Sequence, residues 1–222
     1  MTATIDHLVY ACTDLESTCG WITGTTGVAP TPGGRHLGEG TRNALLSLGE
    51  RTYLELIAPD ETQTAVPKPL AFGIDNLRTP SLRAWACSPA DFAEAAQTAR
   101  RGGHRLGEPV GGRRLTPEGI EITWALALPE SAAAGKPGGF SDYDVALLPF
   151  LIDWGQSPHP ATTSPVGLVL EHFVLSGPSP DSLQRLLEDI GLEGPWAVEA
   201  SPAPALRAVV KNLRGGHLTL AS

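Results

Sequence analysis

The stretch "IDHLVYACTDLES", residues 5–17, is the part of the chain that decides its fold. It reads as an apolar strand carrying one histidine, followed at once by a helix start with Thr13 or Asp14 as N-cap. Its segment "HLVYACTDLE" aligns without a gap to "AWACSPADFAE", residues 84–94, so that His7 falls on Ala84 and Asp14 on Asp91. A third copy begins at "EHFVLSGPSPDSLQRLLEDIG", where His172 takes the place of His7. Self-similarity of this kind marks a duplicated structural unit.

Working outward, each copy reads strand–helix–strands. After the first helix, which ends at Gly27, comes the Gly/Pro-rich "APTPGGRHLGEGT". Two apolar runs follow, "RNALLSLG" and "TYLELIAPD", joined by the tight "GER". The second copy has the strand "SLRAWACS", a helix "PADFAEAAQTARRGG" with Pro89 near its start and Gly102 as its stop, then "GIEITWALALP" and "VALLPFLIDWG". The third has a helix with Ser179 as N-cap, Pro180 in the first turn and Gly191 as its stop, then "WAVEAS", "ALRAVVKNLRG" and "HLTLAS". The expected organisation is a domain over 1–160 made of two βαβββ units (5–60 and 81–155), and a third βαβββ-like unit over 166–222. Segments 61–80 and 156–166 read as links, and "PESAAAGKPGGFSDYD" (129–144) as a long loop near a site.

Composition narrows the class. With 222 residues the chain buries enough surface to fold without staples. Sixteen Lys plus Arg against 24 Asp plus Glu give a net charge of −8, which argues against nucleic acid and anionic membrane as partners; Arg113 and Arg114 are only a local pair. Three cysteines, Cys12, Cys19 and Cys87, make an odd count with no CxxC spacing, which argues against a disulfide framework, and Cys12 and Cys87 read as small buried apolar residues. No signal-like segment precedes Ile5 and no apolar run reaches membrane-spanning length, so a cytoplasmic protein is expected.

Alternation places the chemistry. In the first strand Ile5, His7 and Val9 share a face opposite Leu8 and Tyr10; in "TYLELIAP", Tyr53, Glu55 and Ile57 share a face opposite Leu54 and Leu56. One face per strand is apolar, and the other carries a single His or a single Glu. Two accounts fit this pair: a hydrogen-bonded structural pair, or two ligands of a metal ion. "GGRHLGEG" (33–40) offers Arg35 and His36 for an oxygen-rich or anionic substrate, with His36 as a third ligand candidate, or else is a plain turn. Asn43 stands at a strand start with an amide to offer. "DWGQSPHP" places Asp153, Trp154 and His159 past a strand end, with Asp153 and His159 a candidate acid/base pair or part of a solvated loop. Tyr53, Trp85, Phe150 and Trp154 are aromatics able to stack on a ligand if they face a cavity.

Paired βαβββ units, a first strand "DHLVYA" with its histidine and a fourth strand "YLELIAPD" with its glutamate resemble the vicinal oxygen chelate superfamily. "PGGRHLGEGTRNALLSLGERTYLELIAPD" and "PFLIDWGQSPHPA" resemble one glyoxalase-like branch of it. The resemblance implies an α+β fold of repeated βαβββ units forming a half-open mixed β-barrel. It implies His7 and Glu55 as metal ligands from strands one and four, with Ala84 standing where the second unit would supply another. The function it implies is a small-molecule enzyme: a metal-assisted isomerase, lyase or dioxygenase acting on an oxygen-rich substrate in a cavity between repeats. The ion would be Zn, Fe(II), Mn, Co or Ni. The alternative is a metal-free small-molecule binding protein of the same fold, in which no cofactor is needed. A homodimer, through a strand edge or the third unit, is the assembly to test.

Overall fold

The computed structural model describes residues 2–66, 68–104, 106–129 and 147–222. Beyond Pro129, the loop expected over 129–144 lies outside the described residues.

The first unit runs β1 (Ala3–Ala11), α1 (Leu15–Thr26), β2 (Thr31–His36), β3 (Thr41–Ser47) and β4 (Tyr53–Pro59). Asp14 caps α1 by accepting from the Ser17 N–H at 2.9 Å, and Gly27, at φ 75°, ends it. The second unit runs β5 (Ser81–Pro89), α2 (Phe92–Arg101), β6 (Val110–Leu115), β7 (Glu121–Ala127) and β8 (Phe150–Asp153). Here Asp91 caps the helix and Pro89 closes the strand, because the carboxylate reaches the Glu94 N–H where a proline cannot. Strand β6, "VGGRRL", is the element least visible in the sequence: its glycines and arginines carry no apolar alternation.

Within each unit the first strand pairs in parallel with the fourth. The two units meet along an antiparallel β1–β5 seam running from Ala3–Pro89 to Ala11–Ser81. A second seam is only two residues long, Arg35 opposite Leu115 and His36 opposite Arg114 between β2 and β6. With both seams made, the expected half-open sheet closes into an eight-stranded mixed barrel, β1-β4-β3-β2-β6-β7-β8-β5.

The C-terminal part also opens strand–helix but has one strand more than either unit: β9 (Leu168–Gly177), α3 (Pro180–Asp189), β10 (Leu192–Glu193), β11 (Trp196–Ala200), β12 (Ala205–Asn212) and β13 (His217–Ala221). Its pairing differs. Strand β9 sits between β11 and β12 in a separate four-stranded sheet, β11-β9-β12-β13, while β10 adds to β1 at the barrel edge.

Two apolar clusters follow from strand alternation. Leu8, Tyr10, Leu54 and Leu56 point outward and pack with α1, α2, α3 and the C-terminal sheet; Val9, Tyr53, Ile57, Ala84 and Phe150 point into the barrel. The outer cluster joins barrel to sheet through Trp85, fully buried, whose ring meets Phe173 edge-on at 5.3 Å. Trp85 therefore faces away from the cavity.

Candidate functional site

Within β1 the alternation of side chains fails at one place, and that place builds the site. The β1–β5 register slips between Ile5 and His7, leaving Asp6 as a bulge residue. Ile5 consequently joins the outer cluster with Leu8, not the inner one with Val9. Both Asp6 and His7 are buried and their side chains meet: His7 Nδ1 lies 2.7 Å from Asp6 Oδ1.

Asp6 is fully buried and satisfied by three nitrogens. Its other oxygen accepts from Trp154 Nε1 at 3.1 Å and faces His159 Nε2 at 3.0 Å. The Ala161 N–H donates to His159 Nδ1, so the His159 proton is on Nε2 and points at Asp6. Burial alone would push the Asp6 carboxyl up; the hydrogen bonds from His159 and His7 outweigh it and hold it below the ordinary carboxylate value. An ionised Asp6 accepts the Nδ1 proton of His7, which leaves the His7 Nε2 lone pair facing the cavity.

That lone pair looks at Glu55. His7 Nε2 stands 3.8 Å from Glu55 Oε2, and His36 Nε2 stands 3.8 Å from Glu55 Oε1. Both separations are too long for hydrogen bonds and lie at ion-pair distance. Asn43 donates to Glu55 Oε1 at 2.6 Å and reaches His36 Nε2 at 3.4 Å, while His36 Nδ1 is 2.8 Å from Thr41 Oγ1. Two imidazole nitrogens and both oxygens of one carboxylate thus converge with only the Asn43 amide among them. By donor type the set suits a divalent ion. It is a group of donors and not a formed ligand set: among the described residues no three or more His, Cys, Asp or Glu side chains are gathered to hold a metal. Ala84 is buried on the inner face opposite Val9 and supplies nothing.

The cavity encloses about 530 Å³ between atom surfaces, open mouth included. Its walls are His7, His36, Asn43 and Glu55 on the first unit, Arg114, Trp124, Phe150 and Trp154 on the second, with Tyr53 and Phe72. Tyr53 stacks on His7 with ring centroids 4.6 Å apart. Burial, then the charges of Asp6 and Glu55, push the Tyr53 phenol well above its usual value, so it stays protonated.

Of the residues singled out from the sequence, His7, His36, Asn43, Tyr53, Glu55 and Trp154 come together here. His159 lies one layer behind, bonded to Asp6 and not to Asp153. Asp153 is exposed and its carboxylate accepts from the Gly155 N–H at 2.8 Å. Arg35 points outward, bonded to Asp60 at 2.6 Å and to Thr62. Sequence reasoning missed Asp6, hidden in the strand whose alternation it breaks, and Arg114, hidden in the unrecognised β6. Half-buried Cys19 is held as the thiol: burial, with the neighbouring Cys12 thiol and Glu16, pushes it up to about 11.

The closed mixed barrel is a glyoxalase-like fold. The chain belongs to the Glyoxalase-like domain family, whose model matches residues 5–191. A hypothetical protein from Staphylococcus aureus shares the fold over 98% of both chains, with a TM-score of 0.68 at 13% identity, so the C-terminal sheet belongs to the shared architecture. A methylmalonyl-CoA epimerase in complex with methylmalonyl-CoA and NH4+ is similar over 72% of this chain and 100% of that one, at 21% identity and a TM-score of 0.47. The Mycobacterium tuberculosis methylmalonyl-CoA epimerase gives 19% identity, 67% and 84% coverage and a TM-score of 0.42. No curated protein matches the sequence. Among the described residues no helix is long and apolar enough to cross a membrane.

Proposed function

We propose that this protein is a small-molecule enzyme of the vicinal-oxygen-chelate type, an isomerase or lyase that moves a proton at a carbon beside oxygen. The observation that carries this is the convergence of the His7 and His36 Nε2 atoms on the two oxygens of Glu55. A divalent ion held by His7, His36 and Glu55 would supply Lewis-acid charge to two adjacent substrate oxygens.

The rest falls to the chain's own residues. Asp6 keeps the His7 proton on Nδ1 and so keeps Nε2 open. Asn43 orients Glu55, which takes and returns the substrate proton. Trp124, Phe150 and Trp154 exclude water, and the low dielectric they create strengthens each charge inside. Dioxygenation uses the same donors but leaves the base idle. In this reading residues 1–160 form the reaction unit of a cytoplasmic enzyme, and residues 166–222 form a structural one.

A metal-free binding protein is the second reading, and the aromatic walls favour it. The deciding experiment is elemental analysis of tag-free, chelator-free protein offered each divalent ion, with His7→Ala and Glu55→Ala alongside. About one ion per chain, lost in both folded variants, supports the metal-assisted enzyme. No ion under any condition overturns the metal-assisted reading and leaves the binding protein.

A further inference from the structure

Arg114 is 4% exposed, lines the cavity and is the one residue there whose charge nothing so far uses. It reaches the interior because β6 pairs with β2 across the short seam, His36 opposite Arg114. The close approach needs glycine on the other strand. A Cβ on Gly34 would sit 1.8 Å from the Leu115 carbonyl oxygen, and one on Gly33 would sit 2.3 Å from Asn43 Oδ1. With both glycines in place, Arg114 Nη1 donates to the Gly33 carbonyl.

That bond accounts for one of five N–H groups. Among the described residues the guanidinium forms no ion pair. Among the described residues the sole fully buried side-chain polar atom without a partner is Asn43 Oδ1, so the Arg114 nitrogens that make no protein bond keep some access to solvent. Burial, the largest influence, lowers the Arg114 pKa, while Tyr53 and Glu55 oppose it. A buried guanidinium stays charged, and the acidic groups that act on it, Glu55 and Glu118, do so without a direct ion pair, which leaves it donors for a further anion. The planar fork of an arginine matches a carboxylate in two parallel hydrogen bonds.

We infer that Arg114 is a specificity-determining residue that binds a carboxylate of the substrate. The substrate is then a small carboxylic acid: its anion rests on Arg114, its apolar body lies against Trp124, and its reacting carbon faces His7 and Glu55. The cavity of about 530 Å³, open mouth included, is the space this acid occupies. This rests on the cavity being the reaction site, yet its test needs neither turnover nor metal.

The test is calorimetric titration of the full chain with matched pairs: acetate and acetamide, isobutyrate and isobutyramide, benzoate and benzamide, with inorganic phosphate as a further anion. At least one carboxylate should bind about tenfold or more tightly than its amide. Arg114→Gln should remove that preference and Arg114→Lys should keep part of it. The preference should persist in His7→Ala and Glu55→Gln, which separates this inference from the metal-assisted reading. If Arg114→Gln fails to fold, the wild-type pairs decide alone. No carboxylate preference in any pair, an unchanged preference in Arg114→Gln, or phosphate binding more tightly than every carboxylate would each overturn the assignment.

Discussion

Asp6 and His159 stand 153 positions apart in the chain and 3.0 Å apart in space. The contact ties the strand that carries His7 to the loop after β8, and so ties the first unit to the second through one carboxylate. Trp154 and His7 complete its shell. Apart from the adjacent His7, the partners come from the loop after β8, which has no local reason to meet β1.

Replacing Asp6 with Asn should therefore cost about 3 kcal/mol of unfolding free energy, because an amide NH2 would confront N–H donors that a carboxylate accepts. Urea unfolding measures it. The His7 proton should at the same time lose its fixed place on Nδ1, visible in ¹⁵N chemical shifts of the imidazole. A loss below about 0.5 kcal/mol with an unchanged His7 spectrum would show that Asp6 is dispensable.

Acid should act through the same group and through Asp60. Burial raises the Asp60 carboxyl, but hydrogen bonds from Thr62, Arg35 and Gln63 prevail and hold it at about 2. A carboxylate whose folded pKa lies below its unfolded value of 3.8 contributes stability that is complete above pH 4 and is lost as pH falls toward 2. Asp6 is shifted in the same direction. Unfolding free energy measured from pH 6 to pH 2 should fall along this arm, and Asp60→Asn should flatten it. An identical slope in the variant would refute the assignment.

Two glycine substitutions should have opposite signs. Gly34 has φ 138° and no room for a Cβ, so Gly34→Ala should destabilise by at least about 2 kcal/mol and loosen the β2–β6 seam. Gly24 lies in the exposed interior of α1 with nothing within 4 Å of an added Cβ. Gly24→Ala should stabilise by about 0.5–1 kcal/mol, since it removes unfolded-state freedom without strain. Thermal unfolding of both variants checks the pair.

Trp85→Ala should cost about 3–5 kcal/mol through the void left between barrel and C-terminal sheet. Its N–H donates to the Leu147 carbonyl at 3.1 Å, so a second, smaller loss is expected in Trp85→Phe. Neither change should alter ligand binding in the cavity, because Trp85 lies on the barrel's outer face. A weakened carboxylate titration in folded Trp85→Phe would contradict that placement.

Much of this was legible in the sequence. The repeat of "HLVYACTD" by "AWACSPAD" carried the paired units, and alternation in "TYLELIAP" sent Glu55 inward and Leu54 and Leu56 outward, as the two clusters have them. Helix ends at Asp14 and Gly27 were readable because caps are local hydrogen-bond chemistry, and the start at Ser179 because Pro180 suits a first turn, although the Ser179 side chain makes no cap bond. His217, which had no visible partner in the sequence, meets Glu171 at 2.9 Å across the C-terminal sheet.

What the sequence determined by itself is whatever rests on neighbours along the chain: element order, caps, and the strand faces that carry His7 and Glu55. Tertiary structure alone decided the closure of the barrel, the strand order of the C-terminal sheet, the bulge that turns Asp6 inward, and the entry of Arg114 through β6. The physical reason is that a bulge or a seam is set by the register between two strands distant in sequence, and a one-residue slip reverses which side chains a strand presents. No periodicity within either strand records that choice.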